Sequence, residues 1–249
     1  MFSAIIRADV ISQALTPVDA LVDECKLRLS PDGLSVTAVD PANVAMVDME
    51  VSADAFESFQ ASDGVIGVNL DRLLDVIGMA DSDDLVELHL NGATNKLEIE
   101  IAGLEYTLAL IDADSIRSEP DLPDLDLPGT FVFEASEFDR ATTAADLCSD
   151  HISIKANGDL RFVAEGDTDD VEVTLGDDEL LSSAFSGEDE TESLFSLDYL
   201  EDILAPLKDE EVSLLVGSEM PLKMRYSMGE SGEEDVFVTN MVAPRIQNS

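Results

Sequence analysis

The chain has 249 residues, 45% of them hydrophobic, with 13 Lys and Arg against 55 Asp and Glu, a net charge of −42. That apolar share is enough for a real core, and the low hydrophobicity that would pair with high charge in a disordered chain is missing. Phosphate binding needs Lys and Arg, so the charge balance by itself argues against a nucleic-acid partner and excludes a basic membrane-surface protein.

No apolar run approaches the ~20 residues of a membrane helix, so no membrane partner is expected. Met1-Phe2-Ser3-Ala4-Ile5-Ile6-Arg7 lacks the charged start, apolar stretch and cleavage site of a signal peptide, and a cytoplasmic location is expected. Cys25 and Cys148 are too few for a disulfide framework, and two reduced thiols are the expectation.

The first periodic segment covers residues 9–24. Val10, Ile11, Ala14, Leu15, Val18, Leu21 and Val22 form a helical stripe, which Pro17 is expected to kink or split. Three more helices are expected near 70–80, 136–148 and 197–207, with Ser136 as an N-cap. Between them lie strand-like runs at Val44–Val51, Leu85–Leu90, Lys96–Ile101, Tyr106–Ile111, Val171–Leu175 and Leu222–Tyr226, with Asn91-Gly92 as a hairpin turn. Arg117 to Thr130 carries three prolines and no helical period, and reads as an extended linker. Its Leu122, Leu125 and Leu127 would be wasted on a purely solvated linker, so they should lie on a surface or form one.

The chain repeats itself. Leu27-Arg28-Leu29 matches Ile152-Ser153-Ile154, and Asp32-Gly33 matches Asn157-Gly158, a turn signal in both. Leu70-Asp71-Arg72-Leu73-Leu74-Asp75-Val76-Ile77 matches Leu197-Asp198-Tyr199-Leu200-Glu201-Asp202-Ile203-Leu204 in the same order and at nearly the same offset. The expected organisation is α+β: two similar tandem domains, 1–116 and 131–249, joined by a connecting segment at 117–130. Each domain is itself two halves of one strand, one helix and about three antiparallel strands.

The acids sit in short runs such as Asp81-Ser82-Asp83-Asp84 and Glu188-Asp189-Glu190, between apolar segments. None has the order of an EF-hand calcium loop. They read as a solvated surface. Such a charge repels itself in dilute buffer but is screened at molar salt, where the Debye length is ~3 Å. A cell with molar internal salt is therefore expected, and low salt should destabilise the protein.

Several separated segments fall in one family's order: Leu34-Ser35-Val36-Thr37-Ala38-Val39-Asp40-Pro41-Ala42-Asn43-Val44-Ala45-Met46-Val47, Gly67-Val68-Asn69-Leu70, Leu125-Asp126-Leu127-Pro128 and Met241-Val242-Ala243-Pro244-Arg245-Ile246. Over essentially its whole length the chain resembles a sliding clamp of the archaeal and eukaryotic type, the proliferating cell nuclear antigen (PCNA) family. The resemblance implies two DNA-clamp (processivity-fold) domains, a homotrimeric ring with helices lining the hole, and duplex DNA encircled. It implies a processivity factor for the replicative DNA polymerase. It also implies a docking platform for clamp loader, flap nuclease and ligase, which would bind through Gln-led aromatic peptides.

The resemblance pairs Tyr106, Leu108 and Leu110 with Val171, Val173 and Leu175 of a neighbouring chain, although both runs could be ordinary internal strands. It implies a partner pocket of Val39, Val44, Met46, Leu125, Leu127, Pro128, Pro221, Met241, Val242, Ala243 and Pro244. Met241 stands where the family often has an aromatic residue. It leaves Arg72, Arg140 and Lys208 facing DNA, with Arg7 and Lys26 as further candidates and Asp75 in place of a usual lysine.

No catalytic residue, metal site or cofactor is expected: there is no phosphate loop, no Gly-x-Ser-x-Gly and no Cys-x-x-Cys, and His89 and His151 read as ordinary strand residues. The competing readings are a subunit of a heteromeric checkpoint-type clamp and an acidic two-domain ligand-binding protein or enzyme.

Overall fold

A computed structural model describes residues 1–119, 123, 125–207, 210–229 and 235–246. Its elements in chain order begin with β1 (Phe2–Arg7), α1 (Ala8–Asp19), β2 (Glu24–Ser30), β3 (Gly33–Val39), β4 (Ala45–Ser52) and β5 (Ser58–Ala61). They continue with β6 (Gly64–Asn69), α2 (Leu70–Ile77), β7 (Leu85–Asn91), β8 (Lys96–Ile101) and β9 (Leu104–Ala109). After the connector come β10 (Gly129–Glu134), α3 (Ala135–Asp146), β11 (His151–Ala156), β12 (Leu160–Glu165), β13 (Asp170–Leu175) and β14 (Ser182–Phe185). The chain ends with β15 (Thr191–Ser196), α4 (Leu197–Leu204), β16 (Glu211–Val216), β17 (Leu222–Met228) and β18 (Val236–Val242). Two compact units result. The first holds Met1–Pro41, Val47–Asp121 and Ser227–Val238; the second holds Ala42–Met46, Leu122–Tyr226 and Thr239–Ser249.

The strand–helix–three-strand repeat occurs four times, with β5 and β14 as additions. In the first unit β1, which leads into α1, pairs with β7, which follows α2. Conversely β6, which leads into α2, pairs with β2, which follows α1. The second unit does the same with β10 against β16 and β15 against β11. Each half thus completes the sheet of the other, which is why neither half reads as a separate domain.

The helices start the same way four times. The first helical N–H donates to the carbonyl of the residue just before the post-helix strand of the other half. The pairs are Ala8 to Asp84 (2.9 Å), Leu70 to Asp23 (2.8 Å), Ala135 to Glu210 (2.9 Å) and Leu197 to Asp150 (3.1 Å). A backbone carbonyl therefore satisfies an N–H that a side-chain cap would otherwise take. Ser136 is accordingly not an N-cap: the helix begins one residue earlier, after Glu134, without a side-chain cap. Only Asn69, before α2, caps with its side chain, accepting from the Arg72 N–H at 3.0 Å.

Each helix buries one stripe. In α1 it is Ala8, Ile11, Ala14, Leu15 and Val18; in α2 it is Leu70, Leu73, Val76 and Ile77. In the second unit α3 sets Phe138 against Phe162, ring centroids 4.8 Å apart, with Phe133 edge-on to both. A fully buried side chain of this size contributes about 1.5–3 kcal/mol, so these stripes fix each helix pair on its sheet.

Several expectations are corrected. All four helices stop short of the expected C-termini. Pro17 falls in the last turn of α1, which neither splits nor continues to 24 but ends at Asp19, because proline removes one helical N–H there. The β2–β3 turn is Pro31-Asp32, with Gly33 already in the strand, where an added Cβ would meet the Val51 carbonyl oxygen at 2.1 Å. The β7–β8 loop is the four residues 92–95 rather than a tight Asn91-Gly92 turn, with Asn95 left-handed. The run Tyr106–Ile111 also shifts: β9 spans Leu104–Ala109. Beyond it the Ile111 N–H donates to the Gly67 carbonyl at 2.8 Å, a crossing so close that a Cβ on Gly67 would be 2.6 Å from the Ile111 oxygen.

Candidate functional site

β9 ends the sheet order β5-β1-β7-β8-β9, and β13 ends the order β13-β12-β11-β15. Among the described residues both outer edges lack a strand partner. Leu108 and Leu175, expected at a chain–chain interface, are buried inside their own units. Tyr106, Val171 and Val173 are half-buried at the edges, and Leu110 lies one residue beyond β9. The edges therefore offer backbone N–H and C=O groups with a thin apolar margin rather than a leucine face.

The helical cations differ from one another. Arg72 on α2 is exposed and has no acid partner among the described residues. Arg140 on α3 is exposed but held by Glu137 one turn earlier, through Nε at 3.0 Å and through Nη2. Lys208 lies outside the described residues. Arg7 pairs with Asp9 and Asp83, and Lys26 with Glu119.

Acids dominate the same helices. Asp19 at the end of α1 is raised above the ordinary carboxylate range by burial, then by Asp71, Asp23 and Asp75. In the second unit Glu201 is raised by burial, then by Asp146, Asp198, Asp202 and Asp139. Among the described residues no group of three or more His, Cys, Asp or Glu is placed to hold a metal ion. Cys25 is buried, and burial, with Asp19 nearby, pushes its thiol up to about 12. His89 lies in β7 and His151 opens β11; the His151 Nε2 is buried without a hydrogen-bond partner.

The connector begins on ion pairs. Glu119, its carboxylate 10% exposed, accepts from Arg28 and lies 3.5 Å from the Lys26 Nζ. Arg117 donates to the carbonyls of Asp40 (3.1 Å) and Pro41 (3.3 Å). Sequence reading assigned Lys26 a possible DNA contact; the signal missed was Glu119 in the proline-rich segment. Leu122 lies outside the described residues.

The residues expected at a partner pocket divide by burial. Val39 belongs to the first unit, where it is buried. The rest belong to the second: Met46, Met241 and Val242 are buried, and Val44, Leu125, Leu127, Pro128, Pro221, Ala243 and Pro244 are half-buried. The Ala243 N–H donates to the Val44 carbonyl at 2.8 Å. Leu127 and Pro128 lie against Gly217, where a Cβ would be 3.2 and 3.4 Å from them. A cavity of about 490 Å³ opens beside this set, lined by Glu192, Ser193, Leu194, Ser218, Glu219, Pro244, Arg245 and Ile246. Pro244 alone is common to both. The cavity was not foreseen, because the loop at 217–220 is drawn to β15 by Ser193, whose hydroxyl donates to the Gly217 carbonyl (2.8 Å) and accepts from the Met220 N–H (3.2 Å).

Comparison with known proteins gives one answer. Residues 1–115 match "Proliferating cell nuclear antigen, N-terminal domain", and residues 121–241 match its C-terminal domain. The chain is 54% identical to a DNA polymerase sliding clamp of Natronomonas pharaonis and 52% identical to one of Haloarcula marismortui, each over 100% of both chains. The solved A. fulgidus PCNA bound to the C-terminal region of FEN-1 superimposes with a TM-score of 0.92 at 31% identity, covering 100% of both chains. With both domains matched and full-length relatives above half identity, the chain belongs to the proliferating cell nuclear antigen family of DNA polymerase sliding clamps.

Proposed function

We propose that the protein is a sliding clamp that closes as a homotrimeric ring around duplex DNA. In this reading it serves as processivity factor for the replicative DNA polymerase and as docking platform for clamp loader, flap nuclease and ligase. The observation that carries the reading is that β9 in one unit and β13 in the other, the strands the resemblance pairs between chains, each end a sheet. An open edge invites uncontrolled pairing. Head-to-tail pairing of β9 with β13 of the next chain removes both edges, and three such contacts close a ring. The relatives named DNA polymerase sliding clamp support the same reading.

The domains of this reading are 1–116 and 131–249, joined by the connecting segment 117–130. The duplicated helices face the hole, with Arg72 as the free cation among the described helical residues and Arg140 held by Glu137. A topological ring needs little DNA affinity, so a sparse set of phosphate contacts is sufficient. The half-buried set of the second unit, Leu125, Leu127, Pro128, Pro221, Ala243 and Pro244 around Met241, takes the partners' Gln-led aromatic peptides. Methionine suits a surface that must accept several partners. The acid is adaptation to a cytoplasm at molar salt.

The test is molar mass by light scattering in molar KCl. The reading expects three times 26.8 kDa. A monomer that also fails to bind a Gln-led aromatic peptide would overturn it.

A further inference from the structure

Cations are scarce in this chain and at least six of the thirteen are spent internally. Arg7, Lys26, Arg28, Arg140, Lys155 and Arg161 each pair with a carboxylate of the chain itself. Besides Arg72 and Lys96 of the first unit, the described cations without an acid partner include Lys223, Arg225 and Arg245, although 55 acids are available. These last three belong to the second unit, which also holds most of the proposed peptide surface.

Their placement follows from register. In β17, Lys223 pairs with Leu215 and Arg225 with Ser213 of β16. Tyr226 accepts from the buried Asn240 Nδ2 of β18 at 3.4 Å, so Tyr226 and Asn240 share the core side. Side chains alternate along a strand. Lys223 and Arg225 therefore lie on the opposite face, the face of Met241, the residue after Asn240. Lys223 is 9% exposed, its stem covered, whereas Arg225 is exposed. Arg245 follows Pro244, and its backbone N–H donates to the Leu194 carbonyl at 2.7 Å, which fixes the tail along β15.

We propose that Lys223 and Arg225, with Arg245 at the end of the same surface, select partner peptides whose residues flanking the apolar anchors are Asp or Glu. The inference rests on the docking reading above and adds the partner's charge to it. A net −42 repels an acidic segment over most of the surface, and these unpaired cations supply the complementary spot. Molar salt leaves only contact-range electrostatics, with a Debye length of ~3 Å, so selection acts through direct charge-assisted hydrogen bonds. Two acids line the neighbouring cavity. Glu192 is compensated by Lys155 at 3.1 Å, while Glu219 is not, so the peptide's acids go to the β17 cations and to Arg245 of the cavity lining rather than to the Glu219 side.

The test is fluorescence anisotropy of synthetic Gln-led aromatic peptides on the full chain in molar KCl, with Glu, Gln or Lys flanks. The Glu-flanked peptide is expected to bind roughly tenfold tighter than the Gln-flanked one, the size of one hydrogen bond to a charged group. Arg225→Gln with Lys223→Gln should remove most of that preference and leave the Gln-flanked peptide unchanged. Because Lys223 is buried, Arg225→Gln alone and Arg245→Gln, both at exposed residues, serve as second variants and should each reduce the preference. Equal binding of Glu and Gln flanks, or a preference that survives all these variants, overturns the inference while leaving the docking reading intact. Failure of every peptide to bind overturns the docking reading and this inference with it.

Discussion

Asp71 on α2 faces Asp19 on α1 and, after burial, is the main cause that holds the Asp19 carboxyl above the ordinary carboxylate range. The second unit repeats the arrangement: Asp146, Asp198 and Asp202 stand at the helix positions of Asp19, Asp71 and Asp75, 127 residues on. Repulsion between paired helices has thus been built twice, and the fold tolerates it where salt screens it.

Neutralising Asp19 should therefore stabilise the chain. Its folded pKa is raised, so between the ordinary carboxylate value and the raised one the folded state binds more protons than the unfolded state. Stability then falls as pH rises through that window. Asp19→Asn removes the slope and raises Tm at neutral pH. The gain should be larger in dilute buffer than in molar KCl, since the Debye length is ~10 Å at 0.1 M and ~3 Å at 1 M. Thermal unfolding at both salts checks it, and a lower Tm for the variant at neutral pH would refute the repulsion argument.

Glu119→Gln should loosen the start of the connector. The substitution leaves Lys26 and Arg28 facing a neutral amide in a half-buried site, at a cost of about 1–3 kcal/mol. Urea unfolding measures the loss. Peptide affinity should fall with it, because the same connector carries Leu125 and Leu127.

The helix cations should not contribute equally. Arg72 is free and Arg140 is held by Glu137, so Arg72→Glu is expected to shorten products in loader-dependent primer extension more than Arg140→Glu does. The double variant should be worst. Equal products from all three variants and the parent would remove both residues from the DNA face.

The four helices, the duplication and most strands were legible because each depends on local periodicity, as in the Leu70–Ile77 and Leu197–Leu204 stripes. Helix starts were not, because the first N–H of α3 is satisfied by Glu210, far along the chain, and no local residue reports that. For the same reason Ser136 looked like a cap. The apolar residues of the proposed pocket come from the resemblance alone, and the unpaired state of Arg225 depends on which acids fold near it, which composition cannot reveal. That the side chains of Leu108 and Leu175 fill their own units was not legible, because alternation alone does not say which face of an edge strand is inside.

Cys25 should be silent to thiol reagents in the native state. Burial holds its pKa at about 12, so almost no thiolate exists at neutral pH. A disulfide-exchange reagent in molar KCl should titrate at most the half-buried Cys148, and both thiols after unfolding. Rapid native labelling of Cys25 would show that β2 opens readily beside Asp19.

Charge placed on a ring-closing edge should separate the chains. Val173 is half-buried on β13, between exposed Glu172 and Thr174, so Val173→Asp adds a third acid to Asp170 and Glu172 on an edge that must pair with another strand. The core loses little, because Leu175 and not Val173 fills it. The expected result in molar KCl is a light-scattering mass near one chain with an unchanged far-ultraviolet circular dichroism spectrum. A persistent trimer would mean that β13 is not the closing edge; loss of the spectrum would mean that Val173 belongs to the core. The matching charge reversal on β9, Thr107→Lys, should partly restore assembly of the Val173→Asp chain, since opposite charges then meet across the strand pair.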